Sequence, residues 1–325
     1  MMFAMRGIAV SFSIFVMPYG ALSVAVSSVW RRVWLAGQRY SARRCANLLF
    51  ALRLLPFVVA TGLTLVLAVP SFLLLEPRAV NEPMGVVPVL LGLCGVAVLL
   101  AGMWKAATAL LQASRTVVRW SSGARVVRSR AIDSSSIDCG APVPVRVSAA
   151  APPLTAAGIL RPSVWLSQAA EFVLSEREFE TALRHEVMHV RRRDNLRKLI
   201  LRLVAFPGMA ELERAWREAT EMAADDAAVS SAGEALDLAA ALIKLSRLIP
   251  LEPPAELTTA LVHSPAESVN ARVERLIAWT EQQSQAPGYS LAYPLCTAVA
   301  VVVTLAVTYS QLLVRVHAAT EWLVR

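Results

Sequence analysis

Histidine is scarce in this chain, with four in 325 residues. Charge is scarce as well: 17% of positions are charged and 56% are hydrophobic. Cysteine is limited to Cys45, Cys94, Cys139 and Cys296, with no C-x-x-C pair among them. Each shortage excludes something. So little charge, with a mean hydropathy of +0.53, is incompatible with a wholly soluble globule and implies long apolar runs in a membrane. Scattered cysteines without a scaffold spacing read as small buried residues in a reducing interior. No segment repeats at a solenoid period. The net charge of +8 invites a nucleic-acid surface, but the basic residues carry no aromatic interleaving and match no nucleic-acid motif.

What is present is a series of apolar runs. Residues 7–29 are uncharged and long enough to cross a bilayer. Arg6 and the Ala21-Leu22-Ser23 triplet resemble parts of a signal peptide, but the run continues past that site, so a retained helix is preferred. Residues 54–75, 86–103 and 291–314 form further spans. Arginine clusters follow the first and third runs, and an acidic loop with Glu76 and Glu82 separates the second and third. By the positive-inside rule the N-terminus lies outside and everything between spans three and four is cytoplasmic. Topology therefore accounts for the basic excess. Arg53, at the edge of span two, is expected to snorkel toward the interface.

The segment between spans three and four is polar enough to fold in water. Ser134-Ser135-Ser136 reads as a linker, Val143, Val145 and Val147 alternate as in a strand, and 164–166 reads as a second strand after a turn at 158–162. Ser175-Glu176-Arg177-Glu178 fits a capping box and opens a helix expected to run toward Asn195. Further helices are expected over 216–229, 235–249 and 270–279.

Two of the four histidines sit in that first helix, in His185-Glu186-Val187-Met188-His189. The spacing places both imidazoles on one face, where they can hold one zinc ion, with Glu186 beside them as general base. Neither His263 nor His317 is placed to be a third ligand. The best remaining donor is Glu221, on a later helix that can fold back against the first. Asp225, one turn on, can orient a ligand imidazole through its ring N–H, and Asp194 is expected in the same supporting role. Ala223 and Ala224 allow close helix approach.

These residues resemble the integral-membrane zinc peptidases typified by the beta-lactam sensor-transducers of bacterial antibiotic resistance (the BlaR/MecR type). The likeness rests on the run from His185 to Asn195 and on Glu221-x-x-x-Asp225 followed by Asp226-Ala227-Ala228-Val229. Gly158-x-x-x-Pro162 and Arg272-Val273-Glu274-Arg275-Leu276 add weaker support. The resemblance implies an α-helical membrane protein with four transmembrane helices and an inserted α+β, gluzincin-like zinc peptidase domain. The corresponding divisions are 1–114, 115–285 and 286–325. It further implies one Zn²⁺ held by His185, His189 and Glu221, with Glu186 as the base. The strand Val164, Trp165, Leu166 is expected to lie at a sheet edge and to hold the substrate backbone by strand addition.

The implied setting is the bacterial cytoplasmic membrane, where a signal activates cleavage of the receptor itself, of a transcriptional repressor, or of both. The sensor-transducers carry a penicillin-binding domain after span four, and none is expected here because the chain stops soon after that span. Expected partners are a protein substrate and the lipid bilayer, without direct nucleic-acid contact; a homo-oligomer is compatible with the pattern. A related group of membrane proteases, which trim prenylated proteins or clear misfolded ones, shares both metal motifs. The Arg192-Arg193-Asp194-Asn195 run favours the sensor-transducers. A non-enzymatic scaffold is the remaining reading, disfavoured because structural zinc usually takes a fourth side chain.

Overall fold

The first three apolar runs form three helices long and apolar enough to cross a membrane. The computed structural model describes residues 2–76, 85–127, 143–248, 257, 259–260, 266–279 and 308–319. Within these, α1 covers Met2–Gly37, α2 covers Ala42–Leu75 and α3 covers Val86–Ser121. Each is longer than its uncharged run. A helix of 36 residues rises about 54 Å, well beyond a hydrocarbon core of about 30 Å. The surplus packs on the rest of the fold: Trp30 and Trp34 of α1 and Cys45, Ala46 and Leu49 of α2 join one apolar cluster with Trp216 and Ala219.

Within α2 the chain passes through a π-helical segment, Thr64–Ala68, just before Pro70. Proline has no N–H to give the carbonyl four residues back. That carbonyl belongs to Val66, and Tyr309 Oη donates to it at 2.9 Å. Residues 308–319 are helical and lie against this part of α2, where Ser71 Oγ also donates to the Leu313 carbonyl at 3.1 Å. Most of the fourth apolar run (291–307), the serine linker (128–142) and most of the acidic loop (77–84) lie outside the described residues.

After α3 come β1 (Arg125–Val127), β2 (Val145–Val147), β3 (Leu154–Ala157) and β4 (Ser163–Leu166). Next are the short α4 (Gln168–Val173), α5 (Glu176–Arg191), α6 (Asp194–Leu203), α7 (Ala210–Ala228) and α8 (Ala232–Ser246). β5 (Thr259–Ala260) and α9 (Ala266–Ile277) follow. The strands form one five-stranded sheet in the order β1-β2-β4-β3-β5. Only β2 and β4 pair in parallel. β3 and β4 form a hairpin about the turn expected at 158–162, with Gly158 at a φ of +97° that only glycine adopts freely.

The strand order corrects one expectation. Val164, Trp165 and Leu166 are not an edge: β4 pairs with β2 on one side and β3 on the other. Its backbone groups are already used, so no substrate strand can add there. Leu154-Thr155-Ala156-Ala157 lacks the alternation of a recognisable strand, so β3 was invisible in the pattern. All four of its residues are buried, which removes the polar half of the period. Trp165 packs instead against Trp120 at 5.8 Å, under the Arg146 guanidinium at 5.4 Å.

α5 begins as the capping box requires: Ser175 N–H donates to Glu178 Oε2 at 2.8 Å, and Glu178 N–H donates to Ser175 Oγ at 3.4 Å. Lys244 of α8 adds a 2.7 Å ion pair to the same carboxylate. Burial pushes the Glu178 carboxyl up, but Lys244 and Ser175 together outweigh it and hold it below its ordinary value of 4.5. The folded protein therefore binds this proton less readily than the unfolded chain. The resulting stability is present above the ordinary glutamate range and is lost as pH falls through the lower folded value. Ser175→Ala should cost about 1 kcal/mol. Chemical denaturation at pH 7 and pH 3 checks this, with the loss smaller at pH 3.

α5 stops at Arg191 rather than running on to Asn195. Arg193 takes a left-handed conformation (φ 54°), the one non-glycine with positive φ among the described residues, and α6 starts afresh at Asp194. This break separates the motif helix from α6.

Candidate metal centre

His185, Glu186 and His189 lie on the face of α5 that is turned inward, with exposures of 0%, 0% and 1%. α7 packs beside α5, and Ala223 and Ala224, the small residues expected to permit close approach, are both buried. That approach brings Glu221 to the imidazoles. His185 Nε2 and His189 Nε2 are 3.1 Å apart, and Glu221 places Oε2 3.6 Å from the first and Oε1 3.6 Å from the second. A tetrahedral zinc with bonds of about 2.0–2.1 Å needs ligand atoms about 3.3 Å apart. The three donors fit such an ion with shifts of a few tenths of an ångström.

The far sides of both rings are held. Asp225 Oδ1 lies 3.0 Å from His185 Nδ1, and Asp194 Oδ2 lies 2.8 Å from His189 Nδ1. A carboxylate beside each Nδ1 favours a proton there, so that with a metal bound both Nε2 atoms would be the ligating ones. Asp194 can do this because the Arg193 turn places it at the start of α6. Asn195 then ties that turn to the sheet, donating through Nδ2 to the Ala156 carbonyl at 3.1 Å.

Two cations near the site escaped the sequence reading. Arg272 of α9 is 4% exposed and forks onto Asp225, with Nε to Oδ2 at 2.8 Å and Nη2 to Oδ1 at 2.6 Å. Its Nη1 also reaches Glu221 Oε2 at 3.1 Å. Lys198, one turn after Asp194 on α6, lies within electrostatic reach of Glu221, Asp194 and Glu186; loss of solvation lowers its ammonium to about 8. The only signals were the run Arg272-Val273-Glu274-Arg275-Leu276 and the four-residue step from Asp194. Neither names a partner.

The charges divide unequally. Burial works against a charged His185, but hydrogen bonds to Asp225 and Glu221 outweigh it and raise the imidazole to about 9. Burial lowers His189 below its ordinary range. Burial raises the Glu186 carboxyl to about 8, against the pull of His185. Glu221 is driven the other way, to about 2: burial opposes its charge, but His189, Arg272 and His185 prevail. Asp225 is likewise held far below the usual carboxylate range, with Arg272 and His185 overcoming burial. A carboxylate held ionised beside two imidazoles is suited to ligating a cation, and a neighbouring carboxyl is suited to carrying a proton.

Six of the nine residues singled out as site residues thus converge: His185, Glu186, His189, Asp194, Glu221 and Asp225. Val164, Trp165 and Leu166 do not join them as an accessible edge. His317 lies 3.9 Å from Glu76, and His263 lies outside the described residues.

No curated protein matches the sequence. The model of one family, BlaR1 peptidase M56, matches residues 76–277, more than half of the chain. That interval contains α3, the sheet, both metal-motif helices and the Arg272 clamp. With three helices among the described residues long and apolar enough to cross a membrane, and a His-His-Glu cluster beside a buried glutamate, the chain belongs to the BlaR1 peptidase M56 family of membrane metallopeptidases.

Proposed function

We propose that this chain is a zinc-dependent endopeptidase of the bacterial cytoplasmic membrane that acts in signal transduction by cleaving itself, a transcriptional repressor, or both. The observation that carries the chemistry is the meeting of His185 Nε2, His189 Nε2 and a Glu221 carboxylate oxygen, all within 4.8 Å of one another. The signalling role rests on the family likeness and on the Arg192-Arg193-Asp194-Asn195 run. The proposed topology has four spans, an external N-terminus and a cytoplasmic peptidase domain over 115–285; it rests on the arginine-rich loops.

When bound, zinc supplies Lewis-acid activation of water and of the scissile carbonyl. His185, His189 and Glu221 hold it, and Asp225 and Asp194 keep the two imidazoles in the ligating tautomer. Glu186 accepts the proton of the attacking water and delivers it to the leaving amine. Arg272 keeps Asp225 and Glu221 ionised. Lys198 adds positive charge beside the carboxylates, which favours an ionised Glu186.

Metal analysis of the purified full chain tests the reading. About one zinc per chain is expected, retained through dialysis, and removed with loss of self-cleavage by a strong chelator. His189→Ala should abolish both. A wild-type chain that holds no more zinc than His189→Ala overturns the assignment.

A further inference from the structure

The turn joining α6 to α7, residues 204–209, exposes Pro207 and Gly208 but buries its start, Val204, against α1, α2 and α3. Val204 is buried in one cluster with Phe15 and Tyr19 of α1 and Ala60 of α2, and Phe57, Val98, Leu99 and Phe206 pack around it. Buried turn carbonyls need donors, and the helices provide them. Arg53 of α2 donates through Nη2 to the Val204 carbonyl at 2.5 Å, and Tyr19 of α1 donates to the Ala205 carbonyl at 3.0 Å. α3 contributes Gly102, where a Cβ would stand 2.0 Å from the Leu203 carbonyl oxygen.

Arg53 does more than fill a carbonyl. Its Nε meets Glu213 Oε1, on the first turn of α7, at 3.2 Å. The expectation that this arginine snorkels is therefore wrong: its side chain is 1% exposed and points inward, because a fixed acceptor and a carboxylate await it there. A buried guanidinium is a costly way to fill space compared with an aliphatic side chain. What it achieves is geometric. It fastens the end of α6 and the start of α7 to a single point of α2.

Those two helices carry the supports of the metal centre. α6 begins at Asp194, which holds His189, and ends at the turn. α7 begins after the turn and carries Glu221 and Asp225. From Glu213 to Glu221 the helix rises about 12 Å, so a tilt at the turn moves the carboxylates as a rigid arm. We propose that Arg53 is a positioning residue of the metal centre: by clamping the 204–209 turn it sets the distance between the Asp194-held imidazole and Glu221. The membrane helices thereby fix the ligand geometry. This rests on the metal-ligand reading above.

Cobalt in place of zinc gives the test, because its visible absorption reports ligand number and geometry. The full chain in detergent is titrated with Co²⁺, reading both affinity and spectrum. Arg53→Met and Gly102→Ala should each weaken Co²⁺ binding about tenfold or more and alter the band, the scale seen when groups that support ligands are removed. Arg53→Lys, which can still donate to the Val204 carbonyl, should recover part of the affinity. Val58→Ala, on an exposed position of the same helix, should match wild type. If Arg53→Met does not fold, Glu213→Gln, which removes the ion pair and keeps the packing, should still lower affinity several-fold. Folded variants with wild-type affinity and spectrum overturn the positioning role alone. A wild-type chain with no cobalt band overturns the metal reading and this inference with it.

Discussion

Glu186→Gln should lower proteolysis by a factor of about 10²–10⁴ while leaving one zinc per chain. The split follows from position. Glu186 is fully buried beside the ligand pair but is not one of the three donors that converge. The amide has nearly the same shape, so α5 and the imidazoles stay in place. What is lost is the proton acceptor, whose carboxyl burial raises to about 8; a bound cation nearby would draw it back down. Self-cleavage of the purified chain, measured beside zinc content, checks the two halves together. Cleavage at the wild-type rate would remove Glu186 from the mechanism, and loss of the metal would make it a structural residue.

The second large effect is on stability. Arg272→Met should destabilise the metal-free protein by about 3–5 kcal/mol, since it strands buried carboxylates without their cation. Asp225 is 0% exposed and accepts both arms of the guanidinium fork, and Glu221 loses its contact at 3.1 Å. Methionine fills much of the volume but supplies no charge. Bound zinc should offset part of the loss, because it brings positive charge to the same carboxylates. Thermal unfolding of wild type and variant, each with and without zinc, reads this directly. The gap between them should narrow when the metal is present. An equal gap in both states would mean that Arg272 and the metal do not share these carboxylates.

Much of the centre was legible because helical spacing is local. His185 and His189 lie one turn apart, as do Glu221 and Asp225, and each pair shares a face whatever the rest of the chain does. The capping box at Ser175 was readable for the same reason: its two hydrogen bonds span three residues. Asp194 lies five residues from His189, so only the break at Arg193 was needed to bring it round.

Arg272 and Arg53 were not legible in this way. Arg272 meets Asp225 across 47 positions of sequence, and Arg53 meets the Val204 carbonyl across 151. No periodicity encodes such a pairing. The interior place of β4 was hidden for a related reason: strand order depends on a fully buried neighbour, β3, whose residues show no alternation.

The sequence by itself pointed to the candidate ligand set, the long apolar helices and the helices that bear that set, since each depends on residue type and short-range spacing. Only the tertiary structure decided which strands are edges, which cation holds the carboxylates ionised, and that the turn after α6 is gripped by the membrane helices. Those depend on contacts between distant segments, and the free energy that selects them appears only once the chain is packed.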